Sequence, residues 1–181
     1  MKNKGFKLIA FFIITIWSIH FINKLIPIDL RNFGIIPRTK FGSIGIITSP
    51  LLHGNINHLI SNTMPFLIFS TILVTFFRRN FLRIFITIYL LTGIFVWIFA
   101  REAIHIGASS IVYGLAGYLI SAGLFKREII LIILSITITI VYGSSMFWGI
   151  LPLDRFISWE GHLLGGIAGV LTAYMFRNKD V

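Results

Sequence analysis

The chain has no cysteine and few charged residues. Without cysteine it can form neither disulfides nor thiolate metal sites, and it has no cysteine nucleophile. Only 12% of its 181 residues are charged, whereas 56% are hydrophobic. This composition leaves too little polar surface to cover a water-soluble globule, so the chain needs lipid around it. We therefore predict an integral membrane protein whose surroundings are the lipid bilayer.

Acidic residues are especially scarce. There are 6 Asp and Glu against 16 Lys and Arg, which gives a formal charge of +10. A strongly basic chain can indicate nucleic-acid binding, but here the basic residues stand in short clusters between apolar runs. Membrane topology and anionic lipid explain that placement better, so we expect no nucleic-acid partner.

Six apolar stretches are each close to the about 20 residues that a helix needs to cross the hydrocarbon core. They are residues 6–22, 58–77, 81–99, 109–124, 129–147 and 159–176. The first resembles a signal peptide, but no small-x-small cleavage pattern follows it, so we predict a retained helix. The sequence therefore predicts an all-α membrane protein, a bundle of six transmembrane helices forming a single domain over residues 1–181.

The connection between the first two stretches is long. It runs over about residues 23–57, carries Pro27, Pro37 and Pro50, and is still rather apolar. Because proline interrupts helices, this segment is not expected to be one regular helix. We predict a long first loop that is partly embedded in the membrane.

The basic residues also predict the orientation. A cytoplasmic N-terminus places ten of them on the inner side: Lys2, Lys4, Lys7, Arg78, Arg79, Arg83, Lys126, Arg127, Arg177 and Lys179. The other side keeps six: Lys24, Arg31, Arg38, Lys40, Arg101 and Arg155. Because cytoplasmic loops carry the excess of Lys and Arg, both termini are predicted to be cytoplasmic in a cell-membrane protein.

Polar clusters open three of the predicted spans. The second begins with "HGNINHLISN", which contains His58 and Asn62; the fourth begins with "GASSIVYG", and the sixth with "WEGHLLGG". Spans two, four and six all start on the outer side in this topology, so the clusters share one depth. Polar groups at membrane depth are costly and indicate function. We interpret them as one composite site that opens to the outer side.

Helical spacing predicts which groups meet. Residues four apart share a helix face, which pairs His58 with Asn62 and Ser109 with Tyr113. Small residues let helices approach closely, and glycines recur in both later spans. They are Gly161, Gly165 and Gly169 in the sixth span and Gly114 and Gly117 in the fourth. Ser109 is therefore expected to meet His162.

A serine beside an imidazole is the minimal unit of nucleophilic catalysis, because the base takes the hydroxyl proton during attack. The oxyanion of the intermediate also needs donors. Candidates are the Ser109 backbone N–H, the Asn62 amide and a ring N–H of His58. Glu160 is two residues from His162 and is expected to point to another side, so a dyad without an acid is favoured.

Taken in order, the three motifs resemble the rhomboid family of intramembrane serine proteases over nearly the whole chain. The matching residues are "HGNINHLISN" at 53–62, "GASS" followed by Tyr113, and "GHLLGG" at 161–166. The resemblance implies that Ser109 is the nucleophile and His162 the general base. It implies that His58 and Asn62 help to form the oxyanion hole and that Tyr113 stacks on the histidine.

The resemblance also implies single-pass transmembrane proteins as substrates, cut near the outer end of a helix that unwinds easily, with no cofactor. His53, Gly107 and Gly165 are expected to support the site, with His53 in a loop that holds the start of the second span. His20 and His105 are interpreted as interfacial.

Two features depart from the usual family pattern. Ser110 stands where a glycine is usual after the nucleophile, and the first loop lacks the tryptophan of a common Trp-Arg pair. His53 and His58 are five apart and there is no His-Glu-x-x-His, so no metal site is predicted.

Two other functions fit a chain of this kind. One is a catalytically inactive rhomboid-like protein that binds or escorts membrane helices, although a pure binder would not need the four polar residues of the site. The other is a small transporter or channel, which the lack of charged residues in the middle of the spans disfavours. Oligomeric state is not indicated by the sequence.

Overall fold

The computed structural model describes residues 2–153 and 157–178. Within these ranges every regular element is a helix, apart from one isolated β-bridge between Ile35 and His105, so the predicted all-α class is confirmed. The helices are α1 Lys2–Leu25, α2 Gly45–Thr48, α3 Ile56–Phe76, α4 Phe81–Phe99, α5 Ser109–Lys126, α6 Ile129–Gly149 and α7 Trp159–Met175. Arg155 and Lys179, which enter the predicted orientation, lie outside the described residues.

The six long helices coincide with the six predicted apolar stretches, and α2 is one turn within the first connection. Four segments are long and apolar enough to cross a membrane, namely Lys4–Leu25 of α1 together with α3, α4 and α6. The other two, α5 and α7, are shorter, with 18 and 17 residues, and are rich in glycine. α5 lies at the centre of the bundle, where Ile111, Leu115 and Leu119 are fully buried.

The outer surface of the bundle is apolar. Phe11 and Ile14 of α1 are 67% and 63% exposed, and Ile129 and Ile140 of α6 are 77% and 75% exposed. Large exposed apolar side chains in this number are unfavourable in water and favourable against hydrocarbon. The helices therefore turn apolar side chains both inward and outward.

The main chains of α5 and α7 are in direct contact, as the glycine stripe predicts. An ideal Cβ on Gly169 would lie 2.7 Å from the Tyr118 nitrogen and 2.9 Å from the Gly114 carbonyl carbon. An ideal Cβ on Gly165 would lie 2.9 Å from the carbonyl carbon of Ser110. No side chain fits at either position without moving the helices apart.

The first loop is built from short turns and rests against α4. It contains α2 and three 3₁₀ segments, Leu30–Phe33, Phe41–Ile44 and Ser49–Leu51. The Trp97 indole N–H donates to the Thr39 carbonyl over 3.0 Å, and the Arg38 N–H donates to the Trp97 carbonyl over 2.9 Å. The loop itself contains no tryptophan, and the indole that bonds to it belongs to Trp97 of α4.

We expect Gly169→Ala to lower the free energy of unfolding by about 1–3 kcal/mol, because the added methyl overlaps the α5 backbone. Gly166→Ala is the matched control on the same helix, since nothing lies within 4 Å of its ideal Cβ. Alanine's higher helix propensity should leave that variant unchanged or stabilise it by up to about 1 kcal/mol. Thermal unfolding in detergent micelles measures both. Equal loss of stability in the two variants would contradict the close approach of α5 and α7.

Candidate active site

The imidazole of His162, near the start of α7, lies flat against the phenol ring of Tyr113 in α5. The ring centroids are 4.2 Å apart and the planes differ by 1°. Ser109 is the first residue of α5, one helical turn before Tyr113. Because positions four apart share a helix face, Ser109 lies on the face of α5 that carries the imidazole.

A main-chain carbonyl fixes the protonation of that imidazole. Nδ1 of His162 is 2.7 Å from the carbonyl oxygen of Gly149 at the end of α6. A carbonyl oxygen can only accept, so Nδ1 carries the hydrogen and donates it. In the neutral ring Nε2 then keeps its lone pair and can act as a base.

Gly149 is required at this place. An ideal Cβ there would lie 3.0 Å from Cζ of Tyr113 and 3.3 Å from Nδ1 of His162, and closer still to the Tyr113 hydroxyl. Only a residue without a side chain lets its carbonyl reach the histidine. Sequence reasoning did not identify Gly149, because a glycine near the end of an apolar stretch carries no signal for this role.

The chain just before Ser109 runs against His58 and Asn62. Gly107 has a φ of +111°, which favours glycine. An ideal Cβ on it would lie 2.7 Å from Nε2 of His58 and 3.5 Å from Nδ2 of Asn62. Nδ2 of Asn62 is buried and has no hydrogen-bond partner. A buried amide donor left unpaired is costly, and this one lies beside Gly107, two residues before Ser109.

Three contacts hold the segment that leads into α5. The Gly107 N–H donates to the Ser49 carbonyl over 2.9 Å, and Ile35 and His105 exchange two backbone hydrogen bonds of 2.9 Å. The Ala108 N–H points to Nε2 of His53 at 3.4 Å. His53 therefore supports the start of α5, besides packing its ring edge against His58 of α3 at 5.2 Å.

Comparison with known proteins places the chain in a family. The family model for the Rhomboid domain matches residues 41–179. The chain belongs to the rhomboid family. Uncharacterized proteins of Mycobacterium tuberculosis and Mycobacterium bovis are each 31% identical over 177 residues, which is 93% of this chain and 74% of theirs. An uncharacterized protein of Mycobacterium leprae is 30% identical over 178 residues, 93% of this chain and 70% of its own.

Family membership and the apolar helices make this chain a multi-pass membrane protein. Rhomboids are generally intramembrane serine proteases. The mycobacterial relatives are uncharacterized and add no activity of their own.

In this rhomboid Ser110 fills space that the glycines of α7 leave open. Its Cβ lies 3.6 Å from an ideal Cβ on Gly161, and its main chain packs on Gly165. The two serines also line a cavity of about 10 Å³, room for about one water molecule. The side chain of Ser110 is thus accommodated where the family usually has glycine.

Glu160 does not contact the imidazole but pairs with Arg101, whose Nε is 3.5 Å from Oε1. The carboxylate is buried, and this ion pair ties the start of α7 to the loop before α5. His20 and His105, interpreted from the sequence as interfacial, are 5% and 4% exposed and are therefore buried inside the protein. His105 lies in the same loop as Arg101. Its ring nitrogens contact the Ser158 hydroxyl at 2.6 Å and the Arg101 carbonyl at 3.0 Å. Both nitrogens therefore have protein partners and do not require water as a hydrogen-bond partner.

Metal binding has no support in the part of the chain that the structure describes. No group of three or more His, Asp and Glu side chains is placed there to hold a metal ion. His53 and His58 touch ring edge to ring face, which is a packing contact and not a ligand arrangement.

Burial, together with the neighbouring His58 and His20, lowers the pKa of His53 from 6.5 to about 3. In the unfolded chain this histidine binds a proton below about pH 6.5, whereas in the folded chain it stays neutral down to about pH 3. Its contribution to stability is therefore full above pH 6.5 and is lost as the pH falls from about 6.5 toward 3.

We expect the thermal unfolding temperature in detergent to fall as the pH is lowered from 7 to 4. His53→Gln, whose side-chain oxygen can still accept from the Ala108 N–H, should show a clearly smaller fall because glutamine does not titrate. Identical pH profiles for the two proteins would show that His53 is not held neutral by its surroundings.

Proposed function

We propose that this rhomboid is an intramembrane serine endopeptidase that cleaves transmembrane segments of single-pass membrane proteins. The observation that carries the proposal is the placement of His162. Its ring is stacked on Tyr113 and bonded through Nδ1 to the Gly149 carbonyl, so its basic Nε2 is available on the α5 face that bears Ser109.

The proposed reaction is an acyl transfer in two steps. Nε2 of His162 takes the proton of the Ser109 hydroxyl while Oγ attacks the scissile carbonyl carbon. The imidazolium then gives that proton to the leaving amine as the C–N bond breaks, and an ester on Ser109 remains. Water, losing a proton to His162, hydrolyses the ester, releases a carboxylic acid product and restores the serine.

The negative oxygen of the tetrahedral intermediate requires donors. The proposed donors are the backbone N–H of Ser109, the Asn62 amide and the His58 ring. The Ser109 N–H is one of the first-turn N–H groups of α5, which have no partner within the helix. The unpaired Nδ2 of Asn62 supports its assignment, because an oxyanion would supply the missing acceptor.

The proposed topology has six spans, cytoplasmic termini and a site that opens to the outer side, with the first loop partly embedded. Its support is the segregation of groups along the bundle axis. The beginnings of α3, α5 and α7 meet at the site, whereas Lys4, Arg78, Arg79 and Arg83 lie together at the opposite end. A cationic end of this kind is typical of the cytoplasmic side.

Ser109→Ala and His162→Ala should each abolish cleavage of a transmembrane reporter substrate in liposomes. Ser110→Ala is the matched control and should retain activity, because its side chain packs toward α7. A fluorophosphonate probe should label the wild type and Ser110→Ala but not Ser109→Ala. Cleavage that survives in either dyad variant would refute the dyad. A folded wild type that neither cuts nor is labelled would instead favour a rhomboid-like protein that only binds helices.

Gly149→Ala should lower kcat by about 10²-fold, because its methyl displaces Tyr113 and His162 from their stack. Gly143→Ala on the same helix is the control, since its ideal Cβ meets only the Thr139 methyl at an ordinary 3.6 Å. Reporter cleavage and unfolding temperature are measured for both. Full activity in a stable Gly149→Ala protein would show that the carbonyl does not orient the imidazole.

A further inference from the structure

A second cavity lies at the end of the bundle opposite the site, between the start of α1, the end of α3 and the start of α4. Its volume is about 440 Å³. This falls within the range of about 300–1,000 Å³ that is usual for small-molecule sites. Nothing in the proposed proteolysis uses this cavity.

The rim of the cavity is cationic. Lys4, Arg78, Arg79 and Arg83 line it, and no lining residue is acidic. Two helices also begin here, and neither α1 nor α4 has an acidic residue in its first turn. Helix N-termini carry partial positive charge, and the two at this place, of α1 and α4, outnumber the single C-terminus, of α3, so the backbone adds to the side chains in favouring an anion.

The floor of the cavity is apolar. Val74 and Phe81, which are buried, line it together with Leu8, which is half-buried, and Leu82, which is 53% exposed and provides apolar surface that a ligand can cover. Gly5 packs closely against this floor, since its ideal Cβ would lie 2.8 Å from a Val74 methyl and 3.5 Å from the Phe81 ring. A free inorganic anion would satisfy the rim and leave this floor uncovered. A ligand that satisfies both regions carries a negative charge and a hydrocarbon chain.

We propose that this cavity binds one anionic phospholipid from the surrounding leaflet. The phosphate group lies among Lys4, Arg78 and Arg83, and the first part of an acyl chain covers the apolar floor. Basic pockets between transmembrane helices take anionic headgroups in this way. The site does not depend on proteolytic activity, so Ser109→Ala should bind the lipid as the wild type does.

The test is native mass spectrometry of the full chain in detergent, titrated with phosphatidylglycerol or with phosphatidylcholine. One phosphatidylglycerol should bind, and phosphatidylcholine should not compete with it. Arg78→Gln combined with Arg83→Gln should weaken phosphatidylglycerol binding by about 30-fold. Arg127→Gln combined with Arg177→Gln removes two charges from the same end outside the cavity and should leave binding unchanged.

A second variant tests the acyl chain. Leu82→Trp, at a lining residue that is 53% exposed, fills the cavity without removing a cation and should also reduce binding. Inorganic phosphate and glycerophosphoglycerol, the headgroup without acyl chains, should not displace the lipid. Equal binding of the two lipids, equal loss in the control pair, unchanged binding in Leu82→Trp, or displacement by either soluble anion would overturn the proposal.

Discussion

The backbone contact between α5 and α7 is the constraint on which the candidate site depends. Because Gly165 and Gly169 have no side chains, α7 approaches α5 until its main chain touches that of Ser110 and Gly114. The same approach brings His162 onto the ring of Tyr113. Lipid tails are as apolar as leucine, so helices associate in a membrane through close packing and hydrogen bonds. The close packing that small residues permit therefore stabilises this helix pair, as the burial of apolar side chains does in a water-soluble protein.

The apolar surroundings also explain how the imidazole is oriented. A carboxylate beside His162 would have to be desolvated, which costs several kcal/mol for a buried ion. The Gly149 carbonyl orients Nδ1 without bringing in a charge. Glu160, which is buried nearby, is compensated by Arg101 and ties two segments together. In this region a neutral carbonyl therefore orients His162, whereas the buried carboxylate belongs to an ion pair that holds two segments together.

Sequence patterns predicted the features that repeat along a single helix. The apolar stretches matched the helices, and the spacings of Ser109 with Tyr113 and of the α7 glycines matched helix faces. They did not predict the acceptor for His162 or the support of Gly107 by Ser49, because any residue type can offer a backbone carbonyl. The burial of His105 was not predicted either, since its partner Ser158 is distant in sequence and no local pattern pairs them. Contacts between elements that are distant in sequence can be identified only once the fold is known.

The directions of the helices determine the partial charges at both ends of the bundle. α3, α5 and α7 all begin at the site, so their partial positive charges lie where an oxyanion would form. Their C-terminal ends, which carry partial negative charge, lie near Arg78 after α3 and Lys126 in the last turn of α5. α4 runs the other way, and Arg83 therefore stands in its first turn, where a cation is unfavourable. The arrangement that favours an anion at the site thus places Arg83 at the positive end of α4, and an anionic headgroup there would offset both charges.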